Sequence, residues 1–143
     1  MNAVVRKFEK TDSRRIPTID DFEAGNLDPE TFDHEAHVYI AWQLLEEDDL
    51  PVAAVRFTTA LKRLTEKLGI GSKYHETISW FYLLIIAERR EGKARQDWTA
   101  FKAANDDLFR RDGNVLSRYY SKETLASKTA RRAFILPDRL VVA

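Results

Sequence analysis

The chain has 143 residues, 44% hydrophobic and 11% aromatic, so it is long enough for one globular domain with a single core. Its 23 basic and 23 acidic residues balance, so we expect neither nucleic acid nor a membrane surface as a partner. The lack of cysteine excludes disulfides, thiolate nucleophiles and thiolate metal sites.

Charge divides the start of the chain into two segments. Residues 1–17 carry five basic and two acidic side chains and are predicted to form a loose basic N-terminal arm, before a helical domain at 18–138 and a tail at 139–143. Residues 20–35 carry seven acids and no base, so they suit that arm as a partner. No signal-peptide pattern is present, and the longest apolar run, 80–87, is far below the ~20 residues of a membrane span. We therefore expect a cytoplasmic protein.

Three helices are predicted in the first two thirds of the chain. Asp33 is the N-cap of a helix that continues to about Glu47, with apolar positions three and four residues apart. The next helix begins at Pro51 and ends at Gly69, since glycine suits the left-handed conformation that follows a helix. The third helix includes residues 80–87, which are apolar on every side, and is expected to be the buried centre of the domain.

Further helical segments are predicted at about 94–111, 115–120 and 122–134, the last ended by Pro137. No segment alternates as a strand would. The predicted fold class is all-α, a single compact domain of four to six helices in a bundle-like or orthogonal array.

Four short motifs follow one another along this helical pattern. They are Phe-x-His-x-x-His (Phe32, His34, His37), Tyr-His-Glu-Thr (74–77), Tyr-Tyr-Ser (119–121) and Phe-x-x-Pro-Asp (134–138). In these motifs the chain resembles a family of small bacterial all-helical proteins, over about residues 22–138. The resemblance implies the same helical domain and brings no activity with it.

The three histidines are the main indication of chemistry. His34 and His37 lie three residues apart on one helix face, with Cβ atoms about 5–6 Å apart, and the predicted hairpin returns His75 towards them. Three imidazoles with an open position match a catalytic zinc site, and replacement of one by the carboxylate of Glu35 or Glu76 would suit non-haem iron. The sequence therefore predicts a divalent metal ion, Fe or Zn, held by His34, His37 and His75.

Residues beside the histidines are candidates for the remaining roles. Glu76 or Glu35 is predicted to relay protons, although both also suit the first turn of a helix, where they interact with its dipole. Tyr74 is predicted to orient a substrate. Further substrate contacts are predicted from Tyr119, Tyr120 and Arg118. The helix N-termini are expected to lower the histidine pKa values, and their unpaired N–H groups favour an anionic ligand.

These residues predict a small metal-dependent enzyme, a hydrolase, lyase or iron oxygenase, acting on a small anionic or carbonyl-containing molecule; a homodimer is compatible with the sequence. One alternative is a metal-free enzyme that uses histidine as acid and base. Another is a non-catalytic interaction module, because Ala53, Phe57 and Ala60 have the spacing of a tetratricopeptide helix, although no second copy follows. A purely structural interpretation also stays open, since a histidine at a helix start can cap the helix or bond a neighbouring loop.

Overall fold

The computed structural model describes residues 17–91 and 95–139, and within these ranges the chain forms α-helices and 3₁₀ turns but no strand. The predicted all-α class is confirmed. The α-helices are α1 (Ile19–Ala24), α2 (His34–Glu47), α3 (Leu50–Lys67), α4 (Glu76–Arg90), α5 (Trp98–Ala104), α6 (Leu116–Tyr119), α7 (Lys122–Leu125) and α8 (Lys128–Arg132). The eight helices of the described residues exceed the predicted four to six, because α1 was not predicted and the helix predicted at 122–134 is divided into α7 and α8. Apart from Pro17, the predicted N-terminal arm lies outside the described residues, as does the tail after Arg139.

The core lies where α2, α3 and α4 pack against one another. Leu44 of α2 and Leu83 and Ile86 of α4 are completely buried, and each such side chain contributes about 1.5–3 kcal/mol by leaving water. The central position predicted for α4 is thus confirmed, although its Leu84 is 38% exposed on the outer face. No helix in the described ranges has both the length and the apolar composition that crossing a membrane requires.

The end of α3 sets the direction in which the chain returns. Gly69 has φ +75°, the left-handed conformation predicted for it, and its N–H donates to the carbonyl of Glu66 at 3.0 Å. The next N–H, of Ile70, donates to the carbonyl of Thr65 at 2.8 Å. Both bonds close the C-terminus of α3 and lead the chain through a 3₁₀ turn into α4.

The acidic stretch contains a short helix, α1, that periodicity did not indicate. Thr18 caps it, and its Phe22 is fully buried, with its ring centroid 5.4 Å from that of Phe57. Glu23 pairs with Arg56 of α3 through two hydrogen bonds of 2.7 and 2.9 Å. At least part of the acidic charge is therefore paired with α3.

Two predicted helices are divided or shortened by side chains that bond to the backbone. The helix predicted at 94–111 begins only after Asp97, which caps α5, and it ends where the Asn105 amide donates to the carbonyl of Phe101 at 2.8 Å. The helix predicted at 122–134 is interrupted at Ser127, whose hydroxyl donates to Thr124 at 2.7 Å and caps α8. Asp, Asn and Ser compete in this way with helical hydrogen bonds.

Candidate functional site

A cavity of about 420 Å³ lies between α2, α3 and the first turns of α4, and we call it the α2–α4 cavity. Its volume is in the range of small-molecule sites, roughly 300–1,000 Å³. The wall is mostly apolar. Its apolar residues include Phe32, Val38, Ala41, Phe57, Leu61, Leu64, Leu68, Ile70 and Ile78.

The three histidines all line this cavity, together with Tyr74. The two distant sequence segments do therefore meet, because α3 returns the chain from α2 to the start of α4. The three rings nevertheless have different hydrogen-bond partners, and those partners determine what each ring is able to do.

His75 is the N-cap of α4 and is buried, with 9% of its surface exposed. Its Nδ1 accepts from the N–H of Ile78 at 3.1 Å, and its Nε2–H donates to the carbonyl of Leu125 at 2.7 Å. Burial lowers the pKa of His75, and the nearby Arg131 lowers it further, against the effect of the Leu125 carbonyl. Both nitrogens of the neutral ring are thus occupied by the protein's own backbone.

His34 also bonds to a distant carbonyl. Its Nε2–H donates to Leu108 at 2.8 Å, and its ring meets the Tyr82 ring edge-on, with 4.9 Å between centroids. The hydroxyl of Tyr82 in turn donates to the side-chain oxygen of Asn114 at 2.6 Å. Together, His34 and Tyr82 attach α2 and α4 to the segment between α5 and α6.

Unlike the rings of His34 and His75, the ring of His37 forms no hydrogen bond with the residues that the structure describes. The ring stacks on Phe32, with 4.3 Å between centroids, and keeps part of its surface accessible where it faces the cavity. Burial, with a smaller effect of His34 and against that of Asp33, lowers the pKa of His37 to about 4. The ring is therefore neutral at physiological pH, as predicted, but burial rather than the helix N-terminus is the main cause.

The predicted metal centre of His34, His37 and His75 is not assembled. In the part of the chain that the structure describes, no three His, Cys, Asp or Glu side chains are placed to hold a metal ion. The physical reason is that His75 has both nitrogens in backbone hydrogen bonds and His34 has one, so a shared Fe or Zn ion would need these bonds to break.

The predicted proton relays do not line the cavity. Glu76 accepts from the hydroxyl of Tyr74 at 2.6 Å and from the indole N–H of Trp80 at 3.2 Å. Burial and this carboxylate raise the pKa of Tyr74, so its hydroxyl keeps its proton and donates it to Glu76. Glu35 forms an exposed ion pair with Lys102 at 2.9 Å. Both glutamates thus have structural contacts outside the cavity, and their role as proton relays stays a prediction.

The predicted substrate contacts Tyr119, Tyr120 and Arg118 also lie away from the cavity. The hydroxyl of Tyr120, a fully buried residue, donates to the carbonyl of Ile135 at 2.7 Å. The ring of Tyr119 packs 5.3 Å from that of Phe81, and Arg118 pairs with Asp107 at 2.6 Å. These residues attach the C-terminal third to the core, and their role as ligand contacts stays a prediction.

Sequence reasoning did not identify most of the cavity wall. Leu61, Leu64 and Leu68 form the apolar stripe of α3, and the same stripe would face either a filled core or a cavity. Tyr82 lies within the apolar third helix and has no pattern of its own. Helical periodicity therefore does not distinguish a cavity wall from a packed interface.

Comparison with known protein families, with curated proteins and with solved structures finds no match to this chain. The resemblance to a bacterial helical family therefore stays a prediction.

The low pKa of His37 predicts a pH-dependent stability. Between about pH 6.5 and 4 the unfolded chain binds a proton at this histidine and the folded chain does not, so the free energy of unfolding falls as the pH falls. One proton contributes at most about 1.4 kcal/mol per pH unit. Urea unfolding at several pH values in this window measures the slope for the wild type and for His37→Phe.

The variant is expected to show a shallower slope than the wild type. It does not become flat, because His75 also has a lowered pKa and contributes in the same direction. Equal slopes in the two proteins would contradict the prediction.

Proposed function

We propose that the protein binds a small, mostly apolar molecule in the α2–α4 cavity. The observation that supports this proposal is a space of about 420 Å³ beside the core whose wall is mostly apolar. Apolar surface in contact with water costs about 25 cal/mol per Å², so a ligand that covers this wall is favoured. The charged lining residues Asp33 and Lys73 are both exposed, which puts charge at the mouth of the cavity.

Binding fits this geometry better than the alternatives raised by the sequence. A metal-dependent enzyme would need a set of ligands that the described residues do not assemble. A metal-free enzyme would depend on His37, but a group with a pKa of about 4 is a weak base at neutral pH. A tetratricopeptide-like interaction module would use the face of Ala53, Phe57 and Ala60, which is buried, whereas partner binding by another surface stays open.

Titration with the uncharged fluorescent probe N-phenyl-1-naphthylamine tests the proposal. We expect saturable binding of one probe per chain, with the fluorescence increase of an apolar environment. The variant Ile78→Trp is designed to fill the cavity, because Ile78 lines it and is only partly buried, and it should raise Kd at least about tenfold. The probe is excited at a wavelength longer than the absorption band of tryptophan, so the added indole does not contribute to the fluorescence.

The matched control is Val55→Trp. Val55 is 62% exposed and lies outside the cavity wall, so the same indole added there should leave Kd within about twofold. Thr65→Trp is a second blocking variant in case Ile78→Trp unfolds. The proposal fails if the wild type shows no saturable binding, or if folded blocking variants bind as the wild type does.

A further inference from the structure

The histidine and tyrosine side chains of the α2–α4 cavity differ in how they are bonded. The hydroxyls of Tyr74 and Tyr82 donate to side chains outside the wall, and the rings of His34 and His75 donate to backbone carbonyls. His37 differs, because no group in residues 17–91 or 95–139 forms a hydrogen bond with its ring. A hydrogen-bonding ring that faces a mostly apolar space is therefore left for a ligand.

The position of His37 also defines how a ligand approaches it. The ring of Phe32 covers one face of the imidazole, with 4.3 Å between ring centroids. The ring of Phe57 lies edge-on to the imidazole, with 6.4 Å between centroids. The nitrogens lie on the ring edge, so a partner must come in the plane of the imidazole. In the neutral ring one nitrogen is unprotonated, and that nitrogen is an acceptor.

We propose that the cavity's ligand is an uncharged, mostly apolar molecule with a hydroxyl group that donates a hydrogen bond to the unprotonated nitrogen of His37. This inference rests on the proposed function. The mostly apolar wall disfavours a buried charge, and the charged lining residues, Asp33 and Lys73, are exposed. The low pKa of His37 supports the assignment, since it keeps the acceptor nitrogen free of a proton at physiological pH.

Three ligands of similar size test the role of the hydroxyl: 2-naphthol, naphthalene and 2-methoxynaphthalene. Naphthalene lacks any polar group, and the methoxy compound keeps the oxygen but has no proton to donate. Titrations are made with the wild type and with His37→Phe, in which a phenyl ring can still stack on Phe32 but cannot accept. We expect the preference for 2-naphthol over the other two ligands to be about tenfold greater in the wild type than in the variant.

The three ligands differ in hydrophobicity. This difference cancels when the ratio of their Kd values in the wild type is compared with the same ratio in His37→Phe. Thr65→Val is the matched control, because it removes a hydroxyl of the wall that already donates to the carbonyl of Lys62, and it should keep the preference. A measurement on the wild type alone covers the case in which His37→Phe does not fold. The ¹⁵N shifts of the His37 ring should move on addition of 2-naphthol and not on addition of naphthalene.

The outcomes separate the two proposals. If the wild type binds 2-methoxynaphthalene as tightly as 2-naphthol, or if His37→Phe keeps the preference, the hydroxyl assignment is overturned while the cavity still binds apolar molecules. If none of the three ligands binds the wild type, the proposed function itself fails.

Discussion

Replacement of His75 by alanine is expected to lower the free energy of unfolding by about 2–4 kcal/mol. The ring caps α4 at Ile78 and donates to Leu125, so alanine removes both bonds. Loss of an N-cap costs about 0.5–2 kcal/mol, and a part-buried carbonyl left without its donor costs about 1–3 kcal/mol. Urea unfolding followed by circular dichroism measures the change.

His75→Asn is the informative control for this prediction. Asparagine is a good N-cap, so it should restore the bond to Ile78, but its shorter side chain does not reach Leu125. We expect it to recover about 1 kcal/mol of the loss. If His75→Ala is as stable as the wild type, the ring is not a structural cap. That result would favour the metal-site interpretation of His75.

Replacement of Thr77 by valine is expected to cost about 2–4 kcal/mol although the two side chains have the same shape. Thr77 is completely buried at the start of α4. Its hydroxyl proton lies between the carbonyls of Ala130 at 2.7 Å and Ala133 at 2.8 Å, and its oxygen accepts from the N–H of Ile135 at 3.2 Å. Valine leaves these buried backbone groups unpaired, and each unpaired group has its own desolvation cost. Urea unfolding gives the total effect.

Hydrogen exchange locates the effect of this substitution. The amides of α8 and of Ile135 should exchange faster in Thr77→Val, because the hydroxyl attaches that segment to α4. Thr77→Ser keeps the hydroxyl and loses only a methyl group, so it should stay closer to the wild type than valine does. Equal stability of the serine and valine variants would contradict the assigned role.

Most of the motif residues that suggested chemistry have structural roles here. Within Tyr-His-Glu-Thr, His75 caps α4, Glu76 holds Tyr74, and Thr77 holds α8. In the later motifs, Asp138 accepts from both the backbone N–H and the hydroxyl of Ser121, at 2.9 and 2.7 Å. Helices as short as α6 to α8 bury little apolar surface, so such bonds attach them to the core. Of the predicted metal ligands, His37 is the one whose contacts still favour a role in binding.

Some features of the fold could be predicted because they depend on residues within four positions of each other. The Asp33 cap of α2 and the left-handed Gly69 after α3 are such features, and both are confirmed. The helices predicted at 94–111 and 122–134 extended wrongly past Asn105 and Ser127. These two positions also follow local rules, but there a hydrogen bond from the side chain to the backbone outweighed the apolar periodicity.

The sequence alone determined an all-α domain, its three longest helices and the approach of the two histidine segments to each other, since helical periodicity and capping are local. Only the tertiary structure decided which imidazole is left without a hydrogen-bond partner among residues 17–91 and 95–139. The partner of His75 lies 50 residues away at Leu125, and that of His34 lies 74 residues away at Leu108. A ring nitrogen can bond to a ligand only if no such carbonyl occupies it. Whether a carbonyl does so depends on how distant segments pack, which cannot be read from residue spacing in the sequence.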